Sequence, residues 1–277
     1  MGTVVVVRSV PMLLLILMFS LQLCKAETNM SSILITGSSR GIGLEFVKQL
    51  LGHANPPAIL IATCRNPDKA TELQALAKNN ANLHILKLDV LDFDSYDSVV
   101  NKTRDIVGNK GLNVLINNAG IHRGMKNSLS LVTAKDLTDV YLTNTAAPIL
   151  LIKAMRPLLK QAADVNNSAP MGLSRAAIIN ISSQLGSLTN NNNGGWYEYR
   201  ESKAALNMAA RSLSVELGPE GILVLSVHPG WVQTDMGTSA ADLKVHDSVQ
   251  NMLNVFYNLK PENHGTFVQW DGKPLPW

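Results

Sequence analysis

Short apolar runs alternate with longer stretches of mixed polarity along most of the chain. The runs are rich in isoleucine, valine and leucine, and they lack polar alternation. They occupy residues 33–36, 58–63, 83–88, 113–116, 176–181 and 222–227. Strands buried on both faces have this composition, and such strands are typical of parallel sheets. The pattern therefore predicts six strands of one parallel sheet.

The stretches between the runs have the spacing of helices. They cover residues 43–51, 67–78, 94–107, 134–162 and 199–217. Gly218 and Pro219 end the last of them, as expected of residues that stop a helix. Strands that alternate with helices form an open doubly wound sheet, so the fold class is α/β. No linker interrupts residues 30–277, which predicts a single domain.

Composition narrows the class of protein. The chain has 277 residues, of which 46% are hydrophobic and 16% charged, and this mixture excludes a disordered chain. A net charge of +3 without charge runs gives no reason to expect nucleic acid as a partner. Cys24 and Cys64 are the only cysteines, which excludes a disulfide framework. No two histidines have the i, i+4 spacing of a helical metal site, so no metal is expected.

The first residues form a separate segment. Residues 4–23 are almost wholly apolar, and Cys24 and Ala26 are small residues one apart, as a signal-peptidase site requires. One interpretation is a signal peptide over residues 1–26, which would direct the protein to the secretory pathway or the endoplasmic reticulum. The other is a dispensable leader over residues 1–29, with the domain starting at Met30. Both interpretations stay open.

The first apolar run leads directly into a glycine-rich turn. Residues 36–43 read Thr-Gly-Ser-Ser-Arg-Gly-Ile-Gly. Gly37 permits the tight turn, Gly41 lets the backbone approach a pyrophosphate, and Gly43 lets the following helix lie close to the strand. The N-terminus of that helix attracts phosphate. The turn therefore predicts a dinucleotide site that also includes Ser39, Arg40 and Ile42.

The same turn fits a second motif. Gly37 to Gly41 reads G-x-S-x-G, the nucleophile elbow of α/β-hydrolases, with Ser39 as the nucleophile. That elbow normally follows several strands, whereas this turn follows the first one. The chain also offers no clear acid and histidine downstream in the required order. The hydrolase interpretation is therefore disfavoured.

A tyrosine and a lysine four residues apart form the next motif. Tyr199 and Lys203 share one face of a predicted helix, sixteen residues after Ser183. The sequence Asn-Asn-Ala-Gly at residues 117–120 follows the fourth predicted strand. Four motifs therefore follow one another along the chain. They are the glycine turn, the Asn-Asn-Ala-Gly segment, the serine pair Ser182-Ser183 and the Tyr-Lys pair.

These motifs resemble the short-chain dehydrogenase/reductase family over residues 31–277. Within it, residues 197–207, 228–236 and 271–277 are most similar to the sniffer and C-factor type carbonyl reductases. The resemblance implies one Rossmann-type domain with a seven-stranded parallel sheet. It also implies a catalytic tetrad, which maps to Asn144, Ser183, Tyr199 and Lys203. Ser182 stays open as an alternative to Ser183. One departure from the family is a longer spacing between Ser183 and Tyr199, filled by residues 190–195.

The resemblance also implies contacts with a dinucleotide. Asp89 and Val90 would meet the adenine, Lys203 would hold the nicotinamide ribose beside Tyr199, and Asn144 would seat a water that links Lys203 to solvent. The remaining contacts implied are Asn117, Ala119, Gly120, Pro229, Gly230, Val232 and Thr234. A cytoplasmic location and a homodimer through helices 134–162 and 199–217 follow from the same resemblance.

The choice of cofactor follows from the end of the second predicted strand. An NAD enzyme places an acidic residue there for the ribose hydroxyls, whereas an arginine suits a 2′-phosphate. Here Arg65 ends the strand, no acid follows before Asp68, and Arg40 adds a second cation. These residues predict NADP(H).

The residue types of the tetrad predict the chemistry. A carbonyl oxygen that accepts hydride needs a proton, and an ammonium at Lys203 would lower the pKa of Tyr199 and make it a better general acid. Ser183 would donate a second hydrogen bond to the same oxygen. We expect reduction of an aldehyde, ketone or quinone. A related dehydrogenase that oxidises an alcohol or steroid, and a non-catalytic NADPH-binding regulator, are the alternatives.

The leader gives a first testable prediction. No motif of the domain lies before Ser31, so a protein that starts at Met30 should bind NADPH and melt cooperatively. Calorimetry with and without NADPH measures both properties. Aggregated or cofactor-free protein would show that residues 1–29 belong to the domain.

Overall fold

Seven parallel strands form the centre of the molecule. The computed structural model describes residues 31–124 and 127–277. The sheet has the order β3-β2-β1-β4-β5-β6-β7, and every neighbouring pair is parallel. The strands are β1 (Ser32–Ile35), β2 (Ile59–Cys64), β3 (Leu83–Lys87), β4 (Val114–Asn117), β5 (Ala177–Ile181), β6 (Leu223–His228) and β7 (Thr266–Gln269).

Helices cover both faces of this sheet. One face packs against α1, α2 and α7, and the other packs against α3, α5 and α6. A π-helical turn at Leu142–Ala146 joins α4 to α5. The helices are α1 (Gly41–Leu51), α2 (Thr71–Asn79), α3 (Tyr96–Val107), α4 (Ala134–Tyr141), α5 (Ala147–Val165), α6 (Tyr197–Leu217) and α7 (Val245–Tyr257).

Successive residues of each inner strand enter opposite layers of the core. In β1, Ile33 and Ile35 pack in the layer that contains Phe46 of α1, whereas Leu34 packs in the layer that contains Met155 of α5. All five side chains are fully buried. Because both faces are covered, the strand has no reason to alternate apolar with polar residues. This explains the continuous apolar runs of the sequence.

The predicted α/β fold is confirmed, with differences in its elements. The six predicted strands are present, and the seventh, implied by the family resemblance, is β7. The predicted helix 134–162 is divided by the π-helical turn, and the predicted helix 67–78 begins with a 3₁₀ turn at Pro67–Lys69 before α2. The apolar pattern missed β7 because only Phe267 and Val268 of its four residues are buried. It also missed α7.

The described residues offer neither a membrane-spanning helix nor a metal-binding cluster. No helix in residues 31–124 or 127–277 is long and apolar enough to cross a membrane. The same residues contain no cluster of three or more histidine, cysteine, aspartate or glutamate side chains that could hold a metal ion. The predicted leader, residues 1–29, lies outside the described part of the chain, as do Met30, Met125 and Lys126.

Candidate active site

The site lies where the strand order reverses. β1 pairs with β2 on one side and with β4 on the other, so the loops that follow β1 and β4 leave the sheet in opposite directions. Doubly wound sheets bind their ligands in the crevice at this point, outside the carboxyl ends of the strands. Most of the predicted site residues lie in the loops at this edge of the sheet, at the start of α1 or on α6; Asn117 ends β4, and Asn144 lies in the π-helical turn.

The glycine turn has the backbone that a dinucleotide site requires. Gly37 and Gly41 have φ angles of 69° and 55°, in the left-handed region that favours glycine. A Cβ on Gly43 would lie 2.2 Å from the main-chain oxygen of Gly37, so only glycine fits there. No side chain caps the N-terminus of α1, and its first turn contains no acidic residue. Its free N–H groups therefore suit a phosphate.

Side-chain hydrogen bonds hold this turn to the loop after β4. Thr36 Oγ1 accepts hydrogen bonds from the backbone N–H groups of Asn118 and Ala119, both at 3.0 Å. Asn118 Nδ2 donates to the main-chain oxygen of Thr36 at 2.9 Å and to that of Gly37 at 3.2 Å. Sequence reasoning missed Thr36 and Asn118. The second asparagine of the Asn-Asn-Ala-Gly segment is the feature of the sequence that could have pointed to these hydrogen bonds.

The alternative hydrolase motif has no catalytic partner here. Ser39 is exposed, and among the described residues its hydroxyl makes no hydrogen bond to a histidine. The turn therefore positions backbone N–H groups rather than a nucleophile.

Two arginines are candidates for binding a phosphate, one within the glycine turn and one after β2. Arg65 is exposed, one residue beyond β2. Arg40 Nε lies 3.4 Å from Asp235 Oδ2, and both side chains are at least 75% exposed. Such an exposed ion pair contributes little stability, so it leaves Arg40 able to bind a phosphate.

The loop after β3 forms another part of the crevice. Asp89 and Val90 are half-buried there. The Leu91 N–H donates to Asp89 Oδ1 at 3.1 Å, and the Tyr96 hydroxyl donates to the main-chain oxygen of Val90 at 2.7 Å. Tyr96 is buried, so this bond fixes the loop to α3.

Tyr199 and Lys203 lie side by side on α6. They are 9% and 4% exposed. Lys203 Nζ donates to the main-chain oxygen of Ile181 at 2.8 Å and lies 5.7 Å from the centre of the Tyr199 ring. The Ser183 side chain lies close enough to the Tyr199 phenol to lower its pKa, and Ser183 Oγ accepts from the Leu185 N–H at 3.1 Å. Three of the four predicted tetrad residues therefore meet at the end of β5.

The two neighbouring serines have different surroundings. Ser182 is 1% exposed and donates to Asn207 Oδ1 at 2.6 Å, which fixes α6 to β5. Ser183 faces Tyr199. The geometry thus favours Ser183 over Ser182 as the serine that contacts a substrate.

Asn144 lies in the π-helical turn, a feature frequent at functional sites. Its Nδ2 donates to the main-chain oxygen of Ile121 at 2.9 Å and to Ser202 Oγ at 3.0 Å, and its Oδ1 accepts from the Ile121 N–H at 2.8 Å. A Cβ on Gly120 would lie 3.2 Å from Asn144 Oδ1 and 3.8 Å from Lys203 Nζ. The amide uses both of its N–H groups on protein atoms, so a water that links Lys203 to solvent could bond to this side chain only through the second lone pair of Oδ1.

Burial has the largest effect on the pKa values of Tyr199 and Lys203. It raises the pKa of Tyr199 to about 12, and the hydrogen bond from Ser183 opposes part of that rise. Burial also lowers the pKa of Lys203 to about 8. The sequence led us to expect a lowered pKa for Tyr199. The structure differs because removing the phenolate from water has the larger effect.

A buried histidine next to this pair was missed by sequence reasoning. His228 ends β6 and is 6% exposed. Its burial and the charge of Lys203 lower its pKa to about 4. The ring is therefore neutral near pH 7, and it adds no second positive charge beside Lys203.

The loop after β6 contacts both α7 and the glycine turn. The main-chain oxygen of Pro229 accepts a hydrogen bond from Ser248 Oγ at 2.6 Å, which ties this loop to α7. Thr234 Cγ2 would lie 3.5 Å from a Cβ on Gly41, so the loop touches the glycine turn. Gly230 and Val232, the other predicted contacts, lie between them.

Asn117 is placed differently from the other predicted cofactor contacts. Its Nδ2 donates to Asn180 Oδ1 at 2.9 Å, and both side chains are buried in the sheet layer. The side chain of Asn117 therefore joins β4 to β5 instead of facing the crevice.

The sequence profile described as "short chain dehydrogenase" matches residues 31–244. The chain belongs to the short-chain dehydrogenase family. It is therefore an oxidoreductase, and the match spans the glycine turn, the tetrad positions and the loop after β6.

Individual members of the family are similar over most of the chain. The carbonyl reductase Sniffer of D. melanogaster is 50% identical, with a TM-score of 0.88, over 90% of this chain and all of that one. An NADPH-bound carbonyl reductase from chicken fatty liver is 44% identical, with a TM-score of 0.86, over 90% and 95% of the two chains. C-signal of Myxococcus xanthus is 44% identical over 60% of this chain and 93% of its own.

The two serines give a testable prediction. Ser183→Ala would remove the donor that the tetrad assignment predicts for the substrate oxygen and should then lower kcat by about 10²–10³ with little loss of stability. Ser182→Ala leaves Asn207 without its buried partner and should cost about 1–3 kcal/mol of unfolding free energy while most of the activity remains. Steady-state kinetics and urea unfolding of both variants measure these effects. The reverse pattern would assign the catalytic role to Ser182.

Proposed function

We propose that this chain reduces the carbonyl group of an aldehyde, ketone or quinone to an alcohol, with NADPH as the reductant. The observation that carries the proposal is the placement of the buried Tyr199 phenol beside Lys203, whose Nζ lies 5.7 Å from the ring centre, with the Ser183 side chain acting on the same phenol. This arrangement offers two donors to one oxygen atom at the mouth of a crevice that suits a dinucleotide. The similarity to the Sniffer and chicken carbonyl reductases supports the same substrate chemistry.

The residues around the glycine turn would hold NADPH. The uncapped N-terminus of α1 would bind the pyrophosphate, and Arg40 and Arg65 would bind the 2′-phosphate. NADPH, when bound, supplies the hydride. Lys203 would hold the nicotinamide ribose, and the loop from Pro229 to Thr234 would cover the nicotinamide.

The protein's own groups would handle the proton. The substrate oxygen would accept hydrogen bonds from the Tyr199 hydroxyl and from Ser183 Oγ. As negative charge develops on that oxygen, Tyr199 gives up its proton, and the nearby Lys203 ammonium stabilises the phenolate that remains. Because burial keeps the pKa of Tyr199 at about 12, the phenol carries its proton throughout the neutral range.

The side chains around the mouth of the crevice favour an apolar substrate. Leu188 and Trp231, in the two loops that flank the crevice, are 76% and 47% exposed. Arg123, a cation near the mouth, is bound to Asp139 at 2.8 Å. Because Arg123 is already paired with Asp139, it attracts a phosphorylated or carboxylated substrate less than a free cation would. An aromatic or aliphatic carbonyl compound needs no such partner.

Charge reversal at Arg65 tests the cofactor. A charge-assisted hydrogen bond to phosphate is worth about 1.5–3 kcal/mol, so Arg65→Asp should weaken NADPH binding at least about tenfold. NADH binding should weaken less. Fluorescence titration with both cofactors measures the change, and equal binding of NADPH and NADH by the unmodified protein would contradict the assignment.

Tyr199→Phe tests the mechanism. The change deletes one oxygen and keeps the ring, so NADPH binding should persist while carbonyl reduction falls by about 10²–10⁴. Tyr197→Phe is the matched control, because the residue four positions beyond Tyr197 is Glu201 rather than a lysine. It should keep most of its activity. A Tyr199→Phe enzyme that retains more than about a tenth of its turnover would rule out this general acid.

A homodimer through α4, α5 and α6 is a further part of the proposal. Met208 and Val215 lie two turns apart on α6, and each is 68% exposed. Large apolar side chains at this spacing form a stripe that a second helix could cover. Sedimentation equilibrium should show a dimer that Met208→Asp converts to monomer. A monomeric unmodified protein would remove this part of the proposal.

A further inference from the structure

The chain after β7 folds back along that strand. The Gln269 N–H donates to the Lys273 oxygen at 2.9 Å, and the Leu275 N–H donates to the Phe267 oxygen at 2.9 Å. An antiparallel bridge joins Val268 to Pro274 between these bonds. We call residues 270–277 the return segment. It places Trp277 at a fixed position beside the sheet.

The ring of Trp277 strengthens this placement. It stacks on Phe267 with the ring centres 5.5 Å apart and an angle of 24° between the ring planes. Phe267 is 2% exposed, so the stack rests on a buried side chain of β7. The stacked ring and the hydrogen bonds of the return segment therefore fix Trp277, and with it its main-chain oxygen, relative to β7.

That oxygen accepts three hydrogen bonds from one loop. The Thr189 N–H donates at 3.1 Å, Thr189 Oγ1 at 2.9 Å and Ser187 Oγ at 3.3 Å. Ser187 is 1% exposed. Three donors on one acceptor fix both the position and the direction of the chain at residues 187–189.

The loop concerned joins the proposed catalytic serine to the proposed catalytic tyrosine. It runs from Ser187 to Trp196, and a 3₁₀ turn at Gln184–Gly186 connects it to Ser183. A Cβ on Gly186 would lie 2.7 Å from the backbone of Lys203, so the start of the loop rests on α6. Tyr199 follows the end of the loop in the first turn of α6.

The far end of the loop has its own support. A Cβ on Gly195 would lie 3.1 Å from Asn127 Cα, so the loop contacts the segment that follows β4. Between its ends, the loop makes local hydrogen bonds such as Gly194 N–H to Asn191 Oδ1 at 3.1 Å. Leu188 is exposed. The shape of the loop therefore depends on its two anchored ends.

We propose that Trp277 is a positioning residue for substrate selection: its main-chain oxygen holds residues 187–189, and this anchor sets the width of the pocket mouth between Ser183 and Tyr199. The effect of this anchor on substrate selection rests on the proposed function. The anchor itself does not depend on that function. A purely structural role for Trp277 would change stability, and it would alter the activity toward every substrate by the same factor.

Thr189 allows a narrow test. Thr189→Val removes the hydroxyl donor and keeps the shape and the N–H group, whereas Thr189→Ser keeps the hydroxyl. Thr266→Val is the matched control, because Thr266 Oγ1 donates to the main-chain oxygen of Asn263 at 2.7 Å, a bond that involves neither Trp277 nor the loop. Deleting Trp277 removes the whole anchor. The assay compares kcat and KM for a small aliphatic aldehyde and a bulky aromatic ketone.

Thr189→Val should change the ratio of kcat/KM between the two substrates by about two- to tenfold, the effect of one hydrogen bond. The change should lie mainly in KM, and Thr189→Ser should restore the original ratio. Deletion of Trp277 should change the ratio further. An unchanged ratio in Thr189→Val and in the deletion variant, or an equal change in Thr266→Val, would overturn the proposal.

Hydrogen exchange separates the anchor from the proposed reaction. The amides of residues 190–195 should exchange faster in Thr189→Val and in the deletion variant than in the unmodified protein or Thr266→Val. Unchanged exchange would overturn the anchor. A protein that reduces no carbonyl compound, yet shows faster exchange in these variants, would refute the proposed function and support the anchor.

Discussion

Lys203 carries an ammonium group that is almost completely removed from water, and the surrounding structure compensates for that burial. An isolated buried charge is costly unless polar atoms surround it. Here the main-chain oxygen of Ile181 accepts a hydrogen bond from Nζ, which is possible because β5 ends at that residue. Gly186 leaves room for the helix, since a Cβ there would lie 2.7 Å from the backbone of Lys203. Gly120 leaves room beside the ammonium group, since a Cβ there would lie 3.2 Å from Asn144 Oδ1 and in contact with Lys203 Nζ at 3.8 Å. The end of β5, the two glycines and the start of α6 thus form one arrangement around a single charge.

A second set of bonds fixes α6 to the π-helical turn. Ser202 Oγ donates to the main-chain oxygen of Tyr199 at 2.8 Å and accepts from Asn144 Nδ2. Thr145 Oγ1 donates to the main-chain oxygen of Ser202 at 2.8 Å. These bonds act on the backbone of the turn that carries Tyr199 and Lys203. The orientation of both side chains is therefore set by neighbouring helices before any ligand binds, which is the preorganisation that catalytic hydrogen bonds require.

Sequence reasoning succeeded where a local pattern has one physical cause. The runs that became β1 to β6 are apolar because helices cover both sheet faces, and the Tyr-Lys spacing places both side chains on one face of a helix. The seven-stranded sheet and the family are confirmed, and the NADPH prediction agrees with the NADPH held by the chicken enzyme. The individual site residues stay predictions.

Other features depend on contacts between distant parts of the chain. The different roles of Ser182 and Ser183 follow from the direction in which each side chain leaves the end of β5, which two adjacent serines do not reveal. The bonds from Thr36 to the loop after β4 join residues about 80 positions apart. The raised pKa of Tyr199 depends on how deeply the phenol is buried, a quantity that spacing along a helix cannot supply.

The return segment has a consequence for how the protein behaves at high concentration. The outer edge of an end strand exposes N–H and C=O groups that can pair with a strand of another molecule, which is a common start of aggregation. In β7, the N–H of Gln269 and the oxygen of Phe267 are already bonded to Lys273 and Leu275 of the same chain. Pro274, which has no N–H group, lies opposite Val268. Residues 273–275 of the same chain thus cover this part of the edge, and molecules have less opportunity to associate through it.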